Sequence, residues 1–296
     1  MLPYPAHMGA TTGSTTVRTS AVRPGPLALL REAAREAWSR RMLVRYLVTA
    51  DLRKKGADSL LGNLWWLLDP LLQLAVYVLL VQIIFRVRIE DYPLFIFAAI
   101  IPWKWFNSAV NDAILSVTSQ ERLIKQVKFP KLVLPVAAVM AGVANFAFGV
   151  LMIVALMVVF YAERITLHLA WIPLVAVVQL VFTLAVAFVV AGVNVFFRDV
   201  GNLARHGLRI WFYMSPGLWP LSRLSEASET LATITQFNPF TILFEAYRAA
   251  IYGVGDLGPR PPDFVALGIL FVASVAFLAV ATVFFKRLEP SFAKVL

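Results

Sequence analysis

Arg122, Lys125, Lys128 and Lys131 recur every three residues within the stretch 119–135, with Leu123, Ile124, Val127 and Phe129 between them and apolar runs on either side. A cation at the bilayer centre costs about 2.5–3.5 kcal/mol, so this segment is expected to lie at a membrane face. Glu121 opens it and Phe129-Pro130-Lys131 closes it. Its chemistry is that of a docking element, with charge for a soluble partner and apolar groups for the bilayer or another protein. The remaining reactive groups are dispersed. Asp69, Asp112 and Glu245 are too far apart in sequence to furnish paired carboxylates, and His7, His168 and His206 are equally scattered. The chain has no cysteine, which excludes a thiol nucleophile, a thiolate metal site and a disulfide framework. It contains no Gly-x-x-x-x-Gly-Lys-Ser/Thr, Gly-x-Ser-x-Gly or His-Glu-x-x-His, and no Asp-rich motif for Mg²⁺ and a diphosphate. The expectation is a non-enzymatic chain with no catalytic residues and no bound metal.

The elements that must carry this segment are membrane spans. Apolar residues make up 60% of the chain and charged residues 15%, against about 25% charged in a soluble domain. The net charge of +10 flanks the apolar segments as the positive-inside rule requires, so nucleic acid is not an expected partner. Apolar runs at about 60–85, 94–117, 132–160, 169–197, 208–221 and 264–285 predict an all-α integral membrane protein of six transmembrane helices, since a span takes roughly 20 residues. The run 208–221 is short and holds Pro216 and Pro220, so it must extend toward Asn202 or bend. Residues 1–26 read as a disordered tail without the apolar core of a signal peptide, and 27–58 as an interfacial amphipathic helix, with a plain cytosolic helix as the alternative, and a polar break from Asp51. The segment 59–285 forms the membrane domain and 286–296 a short tail. Of the 27 Lys and Arg residues, twenty fall on the side of the two termini and six on the other, which predicts both termini in the cytoplasm.

Polar and aromatic groups within the runs suggest what passes through. Trp66, Pro70, Gln73 and Tyr77 share one helical face; Gln179, Thr183 and Asn194 share another; Arg205, Arg209, Phe212, Pro216 and Trp219 share a third. Pro102-Trp103-Lys104-Trp105-Phe106-Asn107 marks the second run. Either these groups line a path suited to sugars, or they are interfacial belts and interhelical hydrogen bonds. Lys104 either reaches the outer interface or meets a lipid phosphate. Gly142, Asn145 and Gly149 read as a close-packing face. Between the fifth and sixth runs, residues 222–263 are too apolar for a solvated loop. Asn238-Pro239 predicts a capped helix start and Gly253 a stop, with Phe240, Phe244, Glu245 and Arg248 on that helix. Two short re-entrant helices acting as an outer gate are expected there, with Phe240, Ile242, Leu243 and Phe244 facing lipid or a second subunit.

Several landmarks resemble one family. Ser59-Leu-Leu-Gly62-Asn-Leu-Trp65 before Asp69-Pro70, then Pro102-Trp103-x-Trp105-Phe106 and Leu123-Ile124-Lys125-x-Val127-x-Phe129-Pro130, are similar to the early landmarks of type-2 ABC export permeases of the polysaccharide branch. Phe196-Phe197-Arg198-Asp199-Val200, Ser215-Pro216, Asn238-Pro239 and Arg287-Leu-Glu-Pro-x-Phe292-Ala293 are similar to its later ones. The resemblance covers roughly residues 55–296. It implies the membrane subunit of an exporter of O-antigen, teichoic acid or related cell-wall glycans, such as a galactan, carried on a polyprenyl diphosphate. It implies a homodimer in the lipid of a bacterial plasma membrane and two copies of a cytoplasmic ABC subunit. That subunit would hold the ATP and Mg, leaving no cofactor on this chain. The 119–135 segment would then couple to the ATPase. An exporter of a small drug or lipid, and a membrane-embedded glycosyl or prenyl transferase, are the rival readings.

Overall fold

The structure is a computed structural model that describes residues 24–56, 65–86, 89–127, 129–221, 228–253 and 258–296. Most of the expected tail, the Ser59–Leu64 part of the first landmark, Lys128 and part of the expected gate region lie outside the described residues. Helix α1 (Pro26–Ser39) starts with proline at its first turn, where the missing N–H costs nothing. Arg40 joins it to α2 (Arg41–Gly56), which continues through the stretch from Asp51 where a polar break was expected. No proline or internal glycine interrupts α2 there, and its charged residues are compatible with an exposed helical face.

Helix α3 (Trp65–Val78) contains Pro70 and passes into a π-helical turn, Leu79–Ile84, closed by Phe85 N–H donating to the Leu80 carbonyl. Helix α4 (Tyr92–Ser116) is the centre of the bundle, packed against α3, α6 (Val133–Phe160), α7 (Ile172–Phe196), α8 (Val200–Met214) and α10 (Pro239–Ile251). A 3₁₀ turn, Thr118–Gln120, leads from it into the six-residue α5 (Glu121–Gln126). Helix α9 (Glu229–Gln236) precedes α10, and the long α11 (Phe264–Val295) packs along α7.

Close packing of α4 has identifiable causes. A Cβ added at Gly149 of α6 would stand 2.5 Å from Ile101 Cγ2, and one at Gly142 would stand 2.8 Å from Trp105 Cδ1. Absence of side chains at these two positions lets the helices approach, as the glycine spacing predicts. On the other flank, Gln179 Nε2 donates to the Pro102 carbonyl at 2.7 Å and Asn194 Nδ2 to the Ile114 carbonyl at 2.8 Å. These buried amides fasten α7 to α4.

Among the described residues, four helical stretches are long and apolar enough to cross a membrane: Tyr92–Gln126, Val133–Phe160, Leu167–Phe196 and Phe264–Val295. The chain is thus an all-helical, multi-pass membrane protein. The apolar part of the α3 region, Leu68–Ile84, is shorter. Helix α8 ends at Met214 because Pro216 has no N–H and disfavours helical geometry in the residue before it; Ser215 is accordingly extended, at φ −93° and ψ 150°.

Candidate functional site

The basic segment is strapped to the bundle by the C-terminal end of the chain. On α5, Lys125 Nζ donates to Glu121 Oε1 at 2.6 Å and to the Leu296 carbonyl at 2.7 Å. The Lys125 ammonium holds the Glu121 carboxyl below the usual carboxylate range, by hydrogen bond and by charge. Ile124 turns inward and is buried with Val117, Leu132 and Phe292. Leu123, Val127 and Arg122 stay exposed. The chain then runs through half-buried Phe129, Pro130 and Lys131 into α6, and the Lys131 N–H donates to Glu289 Oε1 of α11 at 2.6 Å.

Behind this strap, Lys286 gathers three carboxylates. Its Nζ lies 3.0 Å from Glu32 and 2.9 Å from Glu36, both on α1, and 3.0 Å from Glu289 one turn along α11. Burial pushes the Glu36 carboxyl up, against the opposing pull of Lys286. A cavity of about 1270 Å³ opens between α1, the 124–131 stretch and the end of α11, with Leu29, Val127, Phe129 and Pro290 among its apolar walls. Glu32, Glu36, Lys286 and Glu289 were absent from the expected site. The i, i+4 and i, i+3 spacings of these two pairs are visible in the sequence, but nothing there joins one pair to the other.

The residues assigned to a path divide into two groups. Tyr77, Trp103, Trp105, Phe106 and Phe212 are buried inside the chain. Trp103 packs against Phe212 at 5.3 Å and edge-on to Phe240 at 4.6 Å, while Trp105 meets Phe146 at 4.6 Å. Gln73, Arg209 and Trp219 are more accessible, and Gln73 Nε2 donates to the hydroxyl of Tyr77 at 3.4 Å. Trp66 lies on α3, and its side chain is outside the described residues. Lys104 forms an ion pair with Asp69 of α3.

The expected helix at 238–253 is present and well capped. Asn238 Oδ1 accepts from the Phe240 N–H at 3.0 Å and from Trp211 Nε1 at 2.9 Å, Pro239 takes the first helical position, and Gly253 has φ +87°. Its apolar face differs from expectation: Phe240, Leu243 and Phe244 are fully buried in the chain's own core rather than turned to lipid or a second subunit, and Ile242 is half-buried. The aromatic cluster around Trp103, Phe106 and Trp211 supplies the surface they need. Arg248 is buried too. It lies 3.7 Å over the Phe95 ring, donates to the Gly217 carbonyl at 2.7 Å and reaches Glu245 Oε1 at 3.1 Å.

A helical bundle with a basic surface segment held by the C-terminal helix is consistent with what comparison of the sequence finds. The chain is 33% identical to the O-antigen export system permease protein RfbA of Myxococcus xanthus over 260 residues, spanning 88% of this chain and 97% of that one. It is 28% identical to the Klebsiella pneumoniae protein of the same name over 255 residues, spanning 86% and 95%. Residues 42–252 match the model of the ABC-2 type transporter family. The chain therefore belongs to the ABC-2 type transporter family, as a transport subunit and not an enzyme.

Proposed function

We propose that this chain is the membrane-spanning permease of an ATP-driven exporter that carries polyprenyl-diphosphate-linked polysaccharide, of the O-antigen or cell-wall galactan type, across a bacterial plasma membrane. The reading is carried by the two permease relatives, named for O-antigen export, which align over nearly their whole length. Two copies form the channel. Each crosses the membrane six times with both termini in the cytoplasm, an orientation favoured by the twenty Lys and Arg residues on that side. The α3 region supports a fifth crossing, because its 14 helical residues and 6-residue π-turn reach about 30 Å at 1.5 Å per residue. Helix α8, extended by the turn after Met214, supplies the sixth.

Each copy docks one cytoplasmic ATP-binding subunit, which holds the ATP and Mg²⁺. Docking uses Glu121, Arg122, Lys125, Lys128 and the Phe129-Pro130-Lys131 exit. Exposed Leu123 and Val127 give that contact an apolar centre, as protein interfaces require. Movement of this segment reaches the bundle through Glu289 and α11. The glycan passes beside Trp66, Gln73, Tyr77, Arg209 and Trp219, backed by the buried rings of Trp103, Trp105, Phe106 and Phe212. Helices α9 and α10 close the outer end, with Asn238, Pro239, Phe240, Phe244, Glu245 and Arg248 as the gate.

The decisive experiment removes the chain from its host. Lipid-linked glycan should accumulate on the cytoplasmic side, and the wild-type chain should restore export. A Lys125→Glu/Lys128→Glu variant should insert normally but lose copurification of the ATPase or the coupling of hydrolysis to export. Undiminished surface glycan in the deletion strain would sink the cargo assignment. Normal binding, hydrolysis and export in the double variant would sink the docking assignment.

A further inference from the structure

From Leu94 to Ile114, α4 is buried except at five positions, which are Lys104, Asn107, Ser108, Asn111 and Asp112. Those five are also the only residues in that stretch with a charged, amide or hydroxyl side chain. They fall at i, i+3, i+4, i+7 and i+8, one face of a helix. The pattern is inverted relative to the outward faces of α6 and α11, where Phe148, Leu151 and Val158, and Val265, Ile269 and Val272, are exposed and apolar as lipid demands. A second observation comes from α3. Asp69 pairs with Lys104, and its side chain is 68% exposed. Such a pair turned to acyl chains would be strongly disfavoured.

We propose that this face of α4 is the wetted wall of the path, and that Lys104 is the cation that receives the phosphate of the cargo. The proposal rests on the glycan-export reading above and deepens it. The stripe runs from near the α5 end of the helix to its midpoint. Twelve residues separate Lys104 from Ser116, which is about 18 Å of helix. A phosphate-bearing head entering from the α5 end meets amide and hydroxyl groups first. Asn111 Nδ2 now bonds the Asn107 carbonyl at 2.7 Å, and Ser108 Oγ faces Asp112 Oδ2 at 3.3 Å. These local bonds can be exchanged for hydroxyls of the cargo at little cost. At the end of the stripe, Lys104 waits with Asp69 as a resident counter-ion. A diphosphate brings more negative charge and more acceptor oxygens than one carboxylate, so it displaces Asp69. Lysine suits this role as a compact charge that exchanges partners, where the forked guanidinium of arginine would hold on.

The test uses the permease with its ATPase in lipid nanodiscs, with polyprenyl diphosphate and the phosphate-free polyprenol as probes. Polyprenyl diphosphate should stimulate ATP hydrolysis, and polyprenol should do so weakly. Lys104→Met should raise the half-stimulating concentration of the diphosphate at least tenfold without changing the polyprenol response, and Lys104→Arg should restore most of the affinity. An unchanged diphosphate response in Lys104→Met overturns the inference alone. No response in the wild type overturns the cargo reading as well. A second measurement keeps Lys104 intact and does not depend on assembly of that variant. Single cysteines at Asn107 and Asn111 should react quickly with a charged thiol reagent, and polyprenyl diphosphate should protect them. A cysteine at Val272 should stay unreactive. Unreactive cysteines at 107 and 111, or their oxidative cross-linking between two copies, would show lipid or a subunit interface there and overturn the proposal.

Discussion

Replacing Lys286 with Met should detach α1 while leaving the membrane bundle folded. Methionine preserves most of the apolar stem, so the change removes charge with little loss of packing. The Lys286 side chain is only 6% exposed, and its three carboxylate partners differ in their access to water. Glu32, 49% exposed, rehydrates when the ammonium goes, and its pair contributes at most about 1 kcal/mol. Glu289, 9% exposed, cannot rehydrate until α1 lifts away, so its lost pairing weighs on the closed state. Breaking a buried pair by removing one partner costs about 3–5 kcal/mol. The low end applies, because Glu289 keeps the Lys131 N–H on its other oxygen. A loss of about 3 kcal/mol corresponds to roughly a hundredfold rise in the open population of α1, at 1.4 kcal/mol per factor of ten. Amide hydrogen exchange across α1 in the purified protein should accelerate by about that factor, with α4 and α7 unaffected. Glu32→Gln should accelerate it less than tenfold. If Lys286→Met changes exchange in α1 by less than threefold, the helix is held by Leu29 and Ala33 alone and the charge hub has no anchoring role.

Two further outcomes follow from the geometry. Gly149→Ala places a methyl group 2.5 Å from Ile101 Cγ2, and overpacking of this kind costs about 1–3 kcal/mol; the thermal midpoint in detergent should fall by several degrees, and an unchanged midpoint would mean that α6 and α4 separate freely. The Glu121 carboxyl is held low by Lys125, so its contribution is complete above the ordinary carboxylate range and is lost as pH falls through its depressed value. Exchange in α5, corrected for the intrinsic rate, should therefore rise in acid below about pH 4 in the wild type and show no such step in Glu121→Gln.

Local signals were the legible part of this molecule. Asn238-Pro239 and Gly253 define α10 because a cap, a proline and a positive φ each act within a few residues. Gly142 and Gly149 are equally readable, since a helix face without side chains has one obvious use. The Lys286 hub is not, because Glu36 and Lys286 are 250 positions apart and no periodicity links them. In the second apolar run, the eye goes to Trp103, Trp105 and Phe106 as sugar-stacking rings. Yet those three are buried, and Lys104 together with the polar positions that follow Phe106 forms the accessible face. Ring chemistry is compatible with both a core and a path, so residue type alone does not choose between them. The same ambiguity turned Phe240 and Phe244 inward. Span number is obscured at α3 and α8 for another reason. Pro70 and Pro216 lie inside or beside those apolar runs, and proline divides helical length from apolar length.

The buried Arg248 bolts several elements into one rigid block. Its guanidinium is shared among the Phe95 ring, the Gly217 carbonyl and Glu245, while Tyr92 holds the neighbouring Leu218 carbonyl. Pulling α10 away would strand a cation in an apolar interior, at a cost far above thermal energy. Helix α10, the first half of α4 and the turn after α8 must therefore travel as one block. On the proposed docking of the ATPase at α5, strokes delivered there would act on elements without such a bolt. Chief among these is α3, which joins α4 through the Asp69–Lys104 pair and carries a π-turn where the backbone register is already loosened.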